Sequence, residues 1–221
     1  MARSNAAAGK SWLAKELWDL DAIQFGDFTL GRTLNTPVYV NLRRLVSNPA
    51  ALQRVGRVIK EESETLLTML HQHMDPFSRC AGVPFGGLHL ATAFSLTARV
   101  PMIYLHPQKD GSGSVIEGVY IPGQTVLVID DLISGGTSII ETAAQLREAG
   151  LHVKDAIALV DRRQGGKERL RQHGIRLIPL LDLEMLLNWG MANGRIEDEA
   201  QYRASIDFLH SRGTEAKDEA V

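Results

Sequence analysis

Residues 126–138 constrain the fold more than any other stretch. Val126, Leu127, Val128 and Ile129 run without polar interruption into Asp130 and Asp131, then into Leu132, Ile133, Ser134, Gly135, Gly136, Thr137 and Ser138. An unbroken apolar, mostly β-branched run reads as a strand buried on both faces, which demands a sheet with helices on either side. Behind the loop, Ile139, Ile140, Ala143 and Leu146 recur at helical spacing up to Gly150, a glycine suited to the position just past a helix. A strand, a small polar loop and a helix N-terminus together form an anion cradle, because free N–H groups and the positive end of the helix dipole converge there. Two carboxylates beside a phosphate would repel it. They fit a ligand whose phosphate is joined to a neutral hydroxyl-bearing part such as ribose, with a divalent cation nearby. A buried strand and a polar turn occur in any α/β protein, but this ordered combination is far rarer and points to function.

The rest of the chain repeats the theme. Residues 79–82, 101–104, 156–160 and 176–180 read as further buried strands. Helical stripes separate them, one of which opens at Asn48-Pro49 and carries Leu52, Val55, Ile59, Leu66, Leu67 and Leu70. Such alternation predicts an α/β fold with a parallel sheet and its ligand site at the strand C-termini. Ahead of these, residues 11–20 carry Trp12, Leu13, Leu17 and Leu20 on one helical face. Residues 25–30 and 37–43 read as two short strands joined by a polar turn over 31–36. Residues 1–10 are small and polar and are expected to be frayed, leaving a domain over 11–190 with a small hood over about 11–45. Residues 191–221 form a C-terminal extension, with one helix over 200–212 and a disordered tail from 213.

Composition excludes several classes. Apolar residues at 44% and charged residues at 23% suit a globular chain, and a net charge of −2 gives no support to nucleic-acid binding. No apolar run approaches membrane-spanning length, and the N-terminus shows no apolar signal-peptide core, so a cytoplasmic protein off the membrane is expected. The single cysteine, Cys80, lies in an apolar strand-like stretch and suits a reducing compartment.

The strand–Asp-Asp–loop stretch resembles the signature of the type I phosphoribosyltransferases, which use phosphoribosyl pyrophosphate. The resemblance implies that Asp130 and Asp131 hold the ribose hydroxyls, and that Ser134, Gly135, Gly136, Thr137 and Ser138 wrap the 5-phosphate. The segment Gly82-Val83-Pro84-Phe85-Gly86-Gly87 is similar to the pyrophosphate loop of the orotate phosphoribosyltransferases, and gains weight because phosphate and pyrophosphate need two anion sites. Asp161-Arg162-Arg163-Gln164-Gly165-Gly166-Lys167 matches that family's Asp-Arg stretch, placing Arg162 on the orotate carboxylate and Ser134 beside it. Phe25-Gly26-Asp27-Phe28 resembles the family's hood, with Tyr39 on the aromatic strand. Arg32 stands next to Gly31, which replaces the family's lysine, and the resemblance implies that Arg32 and Tyr39 contact the orotate.

The resemblance covers residues 19–189. It implies Mg²⁺, a homodimer whose flap serves the neighbouring site, and orotate and phosphoribosyl pyrophosphate as substrates in pyrimidine synthesis. The Gly/Ser-rich flap over residues 105–114 departs from the family pattern. It is short, Leu105, His106 and Pro107 replace the Arg-Lys pair, and Lys109 is its one full cation for neutralising the pyrophosphate. Two alternatives therefore stay open at the level of sequence: a non-catalytic or regulatory protein that binds phosphoribosyl pyrophosphate, and a transferase for another base.

Overall fold

The computed structural model describes residues 2–30, 33–69, 73–107 and 114–218. In chain order the helices are α1 (Ala2–Asp19), α2 (Pro49–Thr68), α3 (Gly86–Ala98), α4 (Thr137–Glu148), α5 (Gly166–Gln172), α6 (Leu183–Ala192) and α7 (Glu199–Asp218). The strands are β1 (Ile23–Leu30), β2 (Thr33–Val40), β3 (Arg79–Gly82), β4 (Met102–Pro107), β5 (Ser114–Glu117), β6 (Val126–Ile133), β7 (Asp155–Asp161) and β8 (Arg176–Asp182). Six of them form one sheet in the order β5-β4-β3-β6-β7-β8, parallel except for β5 at the edge, while β1 and β2 make a separate antiparallel hairpin, the hood.

The apolar run that opened the sequence argument is the centre of this sheet, and its two faces meet two different cores. Leu127 and Ile129 of β6 face a cluster with Leu13 and Leu17 of α1, Val55 and Ile59 of α2, and Phe94 of α3. Val126 and Val128 face the other way, onto Ile139, Ala143 and Leu146 of α4 and Leu170 of α5. Alternate residues of one strand therefore bury themselves on opposite sides, each such side chain contributing roughly 1.5–3 kcal/mol.

Topology then places the site. From β3 the chain passes through α3 to β4 on one side of the sheet centre; from β6 it passes through α4 to β7 on the other. The winding reverses between β3 and β6, where an open α/β sheet leaves a crevice at the strand C-termini. The loops after both strands open into that crevice.

Several expectations need correction. Strand β6 continues through Asp130 and Asp131 to Ile133, so the carboxylates sit within the strand. Residues 1–10 were expected to fray, but α1 starts at Ala2, as three nearby alanines favour helix. The tail expected from 213 is helical to Asp218, because a single glycine costs a helix only about 1 kcal/mol. Leu105, His106 and Pro107, read as part of the flap, belong to β4, with Leu105 buried and paired to Ile116. The hood strands begin earlier than expected, and Thr36, read as part of a turn, lies buried in β2. Lys109, Arg32 and Leu70 lie outside the described residues. Among those described, no helix is long and apolar enough to cross a membrane.

Candidate active site

On the β6 side of the crevice, Gly136 precedes α4 in a left-handed conformation, φ 78°, that suits glycine. It offers no side-chain cap, so the first-turn N–H groups of α4 have no intrahelical partner and are available to a ligand. Asp130, Ser134, Gly135, Gly136, Thr137 and Ser138 line a cavity of about 260 Å³ here. One strand, one loop and one helix start thus bring these residues together.

The carboxylates differ in surroundings. Asp130 is buried, and its Oδ1 accepts the Asp131 N–H at 2.9 Å. Burial first, and the neighbouring Asp131 charge second, push the Asp130 carboxyl well above the usual carboxylate range. Asp131 is half-buried and its Oδ1 accepts the Leu132 N–H at 2.8 Å. Its carboxyl group packs onto Gly86 at the start of α3, where any Cβ would overlap it. An anion at a helix N-terminus is favoured by the dipole, so α3 helps to fix Asp131.

On the β3 side, the loop is held in place by the Val83 N–H donating to the Ile129 carbonyl at 2.9 Å and the Gly87 N–H to the Val83 carbonyl at 2.8 Å. Val83 is buried, Pro84 is half-buried, and Phe85 is 77% exposed at the rim. Gly87 lies against the Ile129 carbonyl and Gly82 against the Gly87 backbone, with a Cβ on Gly82 falling 2.6 Å from that carbonyl oxygen. The glycines here permit close backbone packing.

Arg162 follows β7 directly and is nearly fully buried. Its N–H donates to the Ile133 carbonyl at 2.9 Å, joining it to the end of β6. Its Nη2 reaches the Thr36 hydroxyl at 3.1 Å and the Val38 carbonyl at 3.4 Å, so the hood rests on this guanidinium. The Nε is buried and has no partner among the described residues. Burial lowers the guanidinium pKa, although an arginine remains charged. Asp161, whose carboxyl is raised by burial, accepts the Arg163 N–H at 2.7 Å and shapes this turn.

Tyr39 is not brought to Arg162 with the others. Val38 and Val40 turn into the core, so Tyr39 takes the opposite face of β2, its ring 5.3 Å from that of Phe28. Thr36 is the hood side chain on Arg162, and no residue pattern pointed to it. Arg169 of α5, also unanticipated, donates to the Thr137 hydroxyl at 2.9 Å.

No family model matches the chain. It is 38% identical over 189 residues to uridine 5'-monophosphate synthase of Bos taurus, covering 85% of this chain and 38% of that protein. It is 36% identical over 176 residues to orotate phosphoribosyltransferase of Chlamydia caviae, covering 77% of this chain and 81% of the relative. Among solved structures, Leishmania donovani UMP synthase superposes with a TM-score of 0.78 at 35% identity, over 91% of this chain and 42% of that one. Orotate phosphoribosyltransferase from Aeropyrum pernix gives 0.67 at 33% identity, over 80% and 96%. The chain spans about two-fifths of the length of the synthase relatives, 38% for the bovine protein, and most of the length of the single-activity ones.

Proposed function

Because this chain belongs to the orotate phosphoribosyltransferase family, we propose that it joins orotate to phosphoribosyl pyrophosphate, giving orotidine 5-monophosphate and pyrophosphate. One observation carries the reading: Arg162, with a donor still unpartnered, is hydrogen-bonded to the end of the strand that bears Asp130, Asp131 and the cradle. The Nη2 of Arg162 seats the hood, and the guanidinium has a further donor for an anionic group on the base.

Each group then has a task. The first-turn amides of α4, with Thr137 and Ser138, hold the 5-phosphate. Asp130 and Asp131 accept hydrogen bonds from the ribose hydroxyls and fix the ring. The loop over residues 82–87 and the N-terminus of α3 receive the pyrophosphate, whose bond to C1 breaks through an oxocarbenium-like state while the orotate nitrogen approaches from the opposite face. Arg162 pairs with the orotate carboxylate, and Ser134 contacts the base. Catalysis is mainly positioning and electrostatic stabilisation.

Mg²⁺ fits this donor set, since it takes one or two carboxylates plus substrate phosphates, and Asp130 and Asp131 lie beside the cradle. When bound it supplies positive charge to the departing pyrophosphate. Lys109 adds the same sign of charge, across a homodimer, and the protein works in the cytoplasm.

The test is orotate consumption by the purified chain with phosphoribosyl pyrophosphate and Mg²⁺. Turnover is expected, and Arg162→Ala should raise the KM for orotate about tenfold or more while barely moving that for phosphoribosyl pyrophosphate. Tight binding of phosphoribosyl pyrophosphate without turnover would overturn the enzymatic reading in favour of a regulatory one.

A further inference from the structure

A cation that the reaction scheme has not used stands beside the cradle. Arg169 extends from α5 toward the loop after β6, its Nη1 donating to the Thr137 hydroxyl at 2.9 Å and lying 3.4 Å from the Gly135 carbonyl oxygen. The same nitrogen is 3.8 Å from where a Cβ on Gly135 would stand. Its helix is seated against the cradle. Gly166, at the start of α5, packs onto the Ser134 carbonyl and Ile133, and Leu170 is buried in the same core cluster as Ile139 of α4. The neighbouring Arg171 is occupied elsewhere, in a bidentate pair with Glu168 on the exposed face.

We propose that Arg169 is a positioning residue for the ligand's 5-phosphate, acting through Thr137 and through its own charge. The inference rests on the ribose-phosphate reading of the cradle. A guanidinium N–H that takes a lone pair of the Thr137 hydroxyl leaves the hydroxyl hydrogen to be donated outward, toward the phosphate. Charge makes the same argument. A helix N-terminus supplies the equivalent of only about half a positive charge, while a phosphate monoester carries roughly −1.5 to −2 charges at neutral pH. The amides alone leave the site electrostatically short, and Arg169 is the cation hydrogen-bonded to its wall.

The experiment titrates ribose 5-phosphate into the full chain at low and high salt, for wild type, Arg169→Gln, Arg169→Lys and Arg171→Gln. Arg169 is exposed, so its variants should fold. Arg169→Gln should raise the Kd for ribose 5-phosphate and the KM for phosphoribosyl pyrophosphate about tenfold, flatten the salt dependence, and leave the KM for orotate unchanged. Arg169→Lys should recover part of the affinity, and Arg171→Gln, with the same change in charge on the same helix, should bind like wild type. Wild-type affinity and salt dependence in Arg169→Gln would overturn the assignment, as would an equal loss in Arg171→Gln. If the wild type itself failed to bind ribose 5-phosphate, the ribose-phosphate reading would fall, and this inference with it.

Discussion

The two loops that face the crevice look alike in sequence, each a glycine-bearing turn from a strand into a helix, yet their glycines do opposite work. In the loop after β3, protein fills the space a side chain would need: the Gly87 backbone for Gly82, the Asp131 carboxyl for Gly86 and the Ile129 carbonyl for Gly87. In the loop after β6, Gly136 is closely packed, with Gly166 and Leu170 3.3 Å from where its Cβ would stand, but the nearest atom to a Cβ on Gly135 is Arg169 Nη1 at 3.8 Å, beside a cavity lined by hydroxyls and amides. One loop uses glycine to bring strand and helix together. The other, at Gly135, leaves the space open. A glycine-rich turn therefore says that something approaches closely, and only the packing says whether that something is the protein or its substrate.

That contrast can be broken by adding methyl groups. Gly87→Ala should have the largest effect, since the β6 backbone at Ile129 and Asp130 stands where the added carbon would go. A loss of about 3 kcal/mol or more in denaturant unfolding is expected. Gly86→Ala meets a side chain that can swing away, so it should cost less stability but displace Asp131. Its affinity for phosphoribosyl pyrophosphate should fall about tenfold or more, as in Asp131→Asn, and the double variant should be no worse than either single one. Additive losses would show that Gly86 and Asp131 act separately. Gly135→Ala belongs at the end of the series, within about 0.5 kcal/mol of wild type in stability.

Between these lies Asp130, where the stability effect has the opposite sign. Its carboxyl is held above the ordinary range, so the folded chain keeps a proton that the unfolded chain has released, and stability falls as pH rises through that raised pKa. Asp130→Asn should stabilise the ligand-free protein by about 1 kcal/mol near neutral pH while weakening ligand binding. The gain should vanish as pH falls toward the ordinary aspartate value of about 4. A destabilised variant at neutral pH would mean that the ionised carboxylate is a structural anchor.

Much of this site could be read before the structure. Four apolar residues ahead of Asp130 could only be a buried strand, and the Asp161-Arg162 turn announced itself by sequence. Thr36 could not be read, because Asn35-Thr36-Pro37 carries turn-forming residues, and only the pairing of Phe28 with Thr36 across the hood makes it a strand. Arg169 was hidden for a related reason. It sits among Lys167, Glu168 and Arg171, a run that reads as a solvated face until the packing of Gly166 brings α5 against the cradle. In both cases local residue type was outweighed by a contact distant in sequence.

The most direct test of the division between the two loops is a crystal structure of the wild-type protein with phosphoribosyl pyrophosphate. The account predicts the 5-phosphate against the amides of residues 136–138 with Arg169 alongside, the pyrophosphate against residues 83–87, and Asp130 and Asp131 on the ribose hydroxyls. A ligand bound the other way round, with pyrophosphate at the start of α4 or both groups outside the crevice, would contradict it.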